Sequence, residues 1–305
     1  MTHAAAAPDG SARQALAAGI GCYIFWGLLP VLFIIMGRAG AGPWEILGER
    51  TLWAAPWAAG LVLLARQQGH LRAVLANPRV LALLTLSALL IGINWSTYVW
   101  AVANARTLDA SLGYYITPLL NMAAGAVIFR ERMDRFGVGA IVLAAVGVAI
   151  QAVAVGHLPV ISLVLAFSFG AYGVIRKRVA AEAQTGLFIE CLLMSVPGLI
   201  YVLWLHHSGG GISWRTPGAT LLMALTGPAT VVPLALFSWA ARRLPLSTIG
   251  FLQFIGPTMT FGVGLVTGEP MTPLRALSFV FIWAGACAFA WGAWRAGRRL
   301  RVAMA

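Results

Sequence analysis

The sequence predicts an all-α integral membrane protein of ten transmembrane helices, built as two inverted five-helix repeats. Three observations carry the prediction. Sixty per cent of the 305 residues are apolar and only 10% are charged, against about 25% charged in soluble domains. Apolar runs of about 20 residues, the length that crosses a hydrocarbon core, recur along the chain. Residues of the first half also reappear in the second at an offset of about 137 positions.

The runs follow in order. Ala15–Met36 carries no charge and is longer than the core of a secretory signal, so it is read as a retained first helix. Trp44–Ala65 has charges only in its first turns. Val80–Ala105 and Ala110–Phe129 are charge-free. Phe136 to Ile175 is long enough for two spans, and Gly156-His157-Leu158-Pro159 is the natural break between them. Gly186–Leu205 is apolar except for Glu190. Pro217–Ala241, Leu244–Gly268 and Ala276–Trp294 complete the ten.

The net charge of +12 raises the question of nucleic-acid binding. Its distribution excludes that class, because the basic residues sit in short clusters between apolar runs and not on one solvated face. With a cytoplasmic N-terminus, 16 of the 21 Lys and Arg fall on the inner side and four (Arg38, Arg106, Arg215, Arg275) on the outer. That asymmetry fits the positive-inside rule and the ten-span count together. The expected location is the inner cell membrane, multi-pass, with both termini cytoplasmic. Cys22, Cys191 and Cys287 lie inside apolar runs without metal-type neighbours and are read as packing residues.

The internal resemblance pairs Ala105-Arg106, Ser111-Leu-Gly-Tyr114, Pro118 and Glu131 with Ala241-Arg242, Thr248-Ile-Gly-Phe251, Pro257 and Glu269. The halves are residues 13–155 and 156–296, followed by a basic cytoplasmic tail at 297–305. An odd number of spans per half forces the second copy to insert upside down. Inverted repeats around a midplane site are typical of transporters that alternate access.

A charge at the bilayer centre costs a few kcal/mol, so those present need a reason. Glu190 either faces a wet cavity, taking up a proton or a cationic group, or lies near enough to the surface to be solvated. Glu45 and Glu49 share a helix face at i,i+4. Arg50 lies off that face and needs a partner, for which Glu190 and Glu49 are the candidates. Asn94, Thr97, Tyr98 and Ala101 form one stripe, suited to cavity lining or to helix–helix hydrogen bonds. Tyr114, Pro118 and Asn121 recur in spacing as Gln253, Pro257 and Thr260. Proline frees a carbonyl and kinks a helix, so matched interruptions point to a binding site or to a shaped bundle.

Certain stretches carry a family resemblance. Asn94-Trp95-Ser-Thr-Tyr98-Val-Trp100 with Ala110-Ser111-Leu-Gly-Tyr114 resembles the RarD-type branch of the drug/metabolite transporter superfamily, whose members are EamA-type permeases. Phe167-Ser-Phe-Gly-Ala-Tyr172-Gly, Gly227-Pro-Ala-Thr230-Val-Val-Pro233 and Gly250-Phe-Leu-Gln253-Phe-Ile-Gly-Pro257 are similar to it as well. Tyr172 and Thr230 join the candidate site through these motifs. Thr117 stands where the family usually has Asn, and Glu49 where it has His. The resemblance implies a ten-helix inner-membrane permease of two EamA-like halves.

The expected function is secondary transport of a small metabolite or drug-like molecule, with proton coupling at Glu190. The alternatives are an intramembrane enzyme and a channel-like protein with a polar cavity. No nucleotide-binding motif, metal-ligand pattern or Ser/His/Asp arrangement is present in the sequence. No cofactor and no metal are therefore expected, and the expected partners are a small-molecule substrate and the lipid bilayer.

Overall fold

The computed structural model describes residues 9–128, 135–156, 158–241, 243–244 and 252–303. All regular structure among them is helical. The helices are α1 Asp9–Arg38, α2 Pro43–Leu64, α3 Gln68–Leu75, α4 Pro78–Ala103, α5 Thr107–Ile128 and α6 Arg135–Val155. They continue with α7 Val160–Arg178, α8 Ala183–His207, α9 Pro217–Ala224, α10 Thr226–Ala241, α11 Ile255–Val266 and α12 Pro273–Ala303.

Local signals set the boundaries. Asn77 caps α4, its side chain accepting from the Arg79 and Val80 amides, with Pro78 in the first turn. Thr216 caps α9 in the same way, just ahead of Pro217. Gly156, Gly209 and Gly268 follow α6, α8 and α11 with φ near +72°, +72° and +84°, the left-handed conformation that closes a helix C-terminus.

Among the described residues, six segments are long and apolar enough to cross a membrane: 13–38, 78–103, 135–154, 183–207, 217–237 and 273–292. Helices α2 and α5 have spanning length at 22 residues each but carry buried charged groups. The surface is apolar where the interior is polar. Val266 is 89% exposed and Leu64 84%, while Glu190 and Thr230 are each 1% exposed. Only a lipid surround makes that inversion favourable, because each polar group must then be satisfied internally.

The structure differs from the sequence expectation in three places. A short helix, α3, lies between the second and third spans, tied to α8 by hydrogen bonds from Gln67 to Gln184 and from Thr185 to Gln67. The expected eighth span is interrupted at Leu225, where α9 gives way to α10. The expected span from Leu244 is broken by a turn at residues 253 and 254, between helical Leu252 and α11, and residues 245–251 lie outside the described ones.

Helices α6 and α12 form one close pair, and α2 and α8 another. Helix α1 packs on α10 and α11, and α7 packs on α4 and α5. Helix α2 meets α10, α4 meets α8, and α5 meets α11. Small residues let the backbones approach. A Cβ added at Gly147 of α6 would lie 2.9 Å from the Ser278 carbonyl oxygen of α12, and one at Gly285 would lie 3.0 Å from that of Ala140.

Candidate functional site

Two polar clusters lie inside the bundle, one on each helix of the α2–α8 pair. Arg50 is the eighth residue of α2, and Glu190 the eighth of α8. At the helical rise each lies roughly 10 Å from the start of its helix.

Arg50 is 4% exposed. Its Nε donates to Thr230 Oγ1 of α10 at 3.0 Å. Its guanidinium carbon stands 4.0 Å from the Trp95 ring centroid and 5.7 Å from that of Phe33. Stacking a cation on an aromatic face recovers part of the lost hydration. Nη1 is buried and has no hydrogen-bond partner.

Glu190 is fully engaged. Ser87 of α4 donates its hydroxyl to Oε1. Tyr172 of α7 donates to Oε2 at 3.2 Å, and Arg176 Nη1 lies 3.5 Å from Oε1. The expected pairing of Arg50 with Glu190 or Glu49 is therefore corrected: among the described residues Glu190 is paired with Arg176, and Arg50 has no carboxylate partner. The reason is geometric. The Arg50 side chain reaches Thr230 of α10 and Trp95 of α4, whereas that of Glu190 reaches Ser87 of α4 and Tyr172 and Arg176 of α7.

Glu49, on the position before Arg50, accepts from Trp53 Nε1 at 2.7 Å, and its Oε1 has no partner. Glu45 holds the loop before α9, accepting from the Ile212 and Ser213 amides and the Ser213 hydroxyl at 2.7 Å each.

Asn94 is buried and central. It accepts from the Tyr114 hydroxyl at 2.9 Å and donates to the Leu165 carbonyl and the Ser168 hydroxyl of α7. Rings connect the two charged clusters. Phe33 packs on Tyr98, Tyr98 on Tyr114, Tyr114 on Phe169 and Phe169 on Tyr172, with centroids 5.5–6.2 Å apart. The series starts at the guanidinium of Arg50 and ends at the carboxylate of Glu190.

The structure thus gathers Arg50, Thr230, Asn94, Tyr98, Tyr114, Tyr172 and Glu190 along one path. Thr97 instead bonds back to the Ile93 carbonyl of its own helix. Pro118 and Pro257 are both buried, on helices that pack together, and Ser111 donates to the Pro257 carbonyl at 2.8 Å. Gln253 is half-buried and lies in the turn ahead of α11, so it does not share a helical face with Pro257 and Thr260. The side chain of Asn121 lies outside the described residues, as do Glu131, Thr248 and Gly250.

Sequence reasoning missed Ser87, Trp95, Phe33, Phe169 and Arg176. Trp95 and Phe33 look like ordinary lipid or core residues in an apolar run. Arg176 sits in the Arg176-Lys177-Arg178 cluster, where it counts as a topology signal.

A family model described as the EamA-like transporter family matches residues 13–152. A Vibrio cholerae protein named "Uncharacterized transporter" is 40% identical over 292 residues, covering 95% of this chain and 96% of that protein. "Protein RarD" of Streptomyces exfoliatus is 41% identical over 292 residues, with 95% and 92% covered. "Protein RarD" of Escherichia coli is 38% identical over 279 residues, with 91% and 94% covered. A protein of known crystal structure shares the fold at a TM-score of 0.60 and 18% identity, covering 93% of this chain and 98% of that one.

Proposed function

The chain belongs to the EamA-like transporter family, in its RarD branch, and on that premise we propose that this membrane transporter is a secondary active permease. It moves a small metabolite or drug-like molecule across the cytoplasmic membrane by alternating access. Ten spans form two inverted halves, residues 13–155 and 156–296, with both termini and the tail at 297–305 in the cytoplasm.

The observation that carries this reading is the reciprocity of the packing. Let α1 exchange with α7, α2 with α8, α4 with α9–α10, α5 with α11 and α6 with α12. The pairs α2–α8, α5–α11 and α6–α12 then map onto themselves. The contact of α1 with α10 maps onto that of α7 with α4, α1 with α11 onto α7 with α5, and α2 with α10 onto α8 with α4. At residue level, Gly147 against Ser278 maps onto Gly285 against Ala140, at a common spacing of about 138 positions. That pattern supports a pseudo-two-fold axis in the membrane plane, with the α2–α8 pair across it. Arg50 then lies in the outer half and Glu190 in the inner half, at matched depths. Rocking one repeat against the other would open the ring-lined path to each side in turn.

Flux through the purified protein in sealed vesicles tests the reading. Saturable, gradient-driven uptake of a small molecule supports a carrier. Flux that rises without saturating indicates a channel, and chemical conversion of the solute in detergent, without a gradient, indicates an intramembrane enzyme. Either of those results overturns the proposal.

A further inference from the structure

The guanidinium of Arg50 is buried in the bundle with Nη1 left open, and among the described residues no carboxylate is in ion-pair contact with it. Nε is taken by Thr230. The faces are taken by Trp95 and Phe33. Nη1 is buried and unpartnered. Among the described residues no carboxylate lies in ion-pair contact with it. Its sequence neighbour Glu49 is turned to Trp53. A desolvated, uncompensated cation is one of the least favourable arrangements a membrane interior can hold. The pseudo-equivalent group, Glu190, shows the contrast: it has a cation and two hydroxyl donors of its own.

We propose that Arg50 is the headgroup site for the transported molecule, and that this molecule is a compact organic monoanion bearing a carboxylate. The inference rests on the transport reading for its mechanism, but the binding site stands on its own geometry. One formal positive charge calls for one negative charge. The open Nη1 donor suits the planar oxygens of a carboxylate, to which guanidinium hydrogen bonds are short and directional. A dianion would bring a second charge, and Arg50 supplies only one. The neighbours beyond the guanidinium are rings, namely Phe33, Trp95, Tyr98 and Tyr114, so the body attached to the carboxylate is apolar and small. Thr230 acts as a positioning residue, fixing the guanidinium through Nε and leaving Nη1 without a partner.

The test uses the purified full chain in detergent, in a chloride-free sulfate buffer. Benzoate and hexanoate are compared with benzamide, hexanamide and benzamidine by thermal shift and calorimetric titration. The expected result is stabilisation by the two carboxylates and not by the amides or the amidine. Arg50→Gln abolishes the shift. Arg50→Lys weakens it about tenfold or more, because an ammonium cannot stay flat between the rings while reaching the ligand. Thr230→Val weakens it while leaving the preference for carboxylates intact.

Equal binding of the amides, binding of benzamidine alone, failure of both carboxylates, or unchanged binding by Arg50→Gln would each overturn the proposal. So would full competition by chloride at the dissociation constant of the carboxylates, which would mark the site as a halide site. Where Arg50→Gln does not fold, the wild-type comparison of anion, neutral and cation decides alone. Vesicle flux separates this inference from the transport reading. Carboxylate binding without any flux keeps the anion site and removes the carrier. Saturable flux of a neutral or cationic solute with no carboxylate binding keeps the carrier and removes the anion site.

Discussion

Glu190 has three donors around it and Arg50 has one acceptor and two rings, a difference that separates their proposed roles. Glu190 remains the acid proposed to take up a proton during transport, since it is buried and sits at one end of the ring series. Its partners fix how the proposal is tested. Glu190→Gln keeps the size and removes the charge. If Glu190 carries the proton, the variant inserts normally, loses accumulation driven by a pH gradient in sealed vesicles and retains substrate exchange, while Glu190→Asp is less damaging. If Glu190 serves only as the counter-ion of Arg176, Glu190→Gln lowers stability by about 3–5 kcal/mol, the usual loss when a buried pair is broken. Adding Arg176→Gln then restores it. Gradient-driven transport at the wild-type level by Glu190→Gln removes the residue from coupling. The presence of Glu190 and Arg50 at membrane depth was legible in the sequence, because charge in an apolar run stands out. Their partners were not, since Ser87 lies 103 positions from Glu190 and Thr230 lies 180 from Arg50, and Trp95, though nearer in sequence, stands in an unremarkable apolar run.

At the scale of the element, close helix pairs rest on positions where no side chain fits. A Cβ at Gly147 would stand 2.9 Å from both the Ser278 carbonyl oxygen and Ile282, whereas at Gly139, on the same helix, nothing lies within 4 Å. Gly147→Leu is expected to destabilise the α6–α12 pair by about 1–3 kcal/mol or more through overpacking. Gly139→Leu is expected to be silent. Melting temperature and monodispersity in detergent measure both, and equal behaviour of the two variants would show that α6 and α12 do not pack as described. The loop networks are a second device at this scale. Glu269 accepts from the Thr107 and Leu108 amides at 2.6 and 2.9 Å, capping α5 from the loop between α11 and α12, and Asp109 links Arg106 to Arg275. The sequence placed these residues in loops on one side of the membrane. The caps themselves join residues more than 160 positions apart and leave no local trace.

For the molecule as a whole, the proposed topology puts the segment around α3 in the cytoplasm and the start of α9 outside. Gly69 and Gly218 are suitable probes, because nothing lies within 4 Å of a Cβ at either. In a background with Cys22, Cys191 and Cys287 changed to Ser, Gly218→Cys is expected to react with an impermeant thiol reagent on intact cells. Gly69→Cys is expected to react only after permeabilisation. Labelling of both from outside would exclude an odd number of spans between them and with it the inverted halves.

The sequence by itself determined the membrane class, the approximate limits of most helices and the family. Each of these depends on quantities that are local or periodic along the chain: run length, charge between runs, capping residues and motif spacing. Only the tertiary structure decided that Arg50 and Glu190 stand apart, each with its own partners. It also decided that rings join the two clusters, and that Gln253 lies in a turn and not on the Pro257 face. Those outcomes depend on how helices distant in sequence are rotated and paired. That rotation is set by close backbone approaches such as Gly147 on Ser278, whose energies arise only when both helices are present.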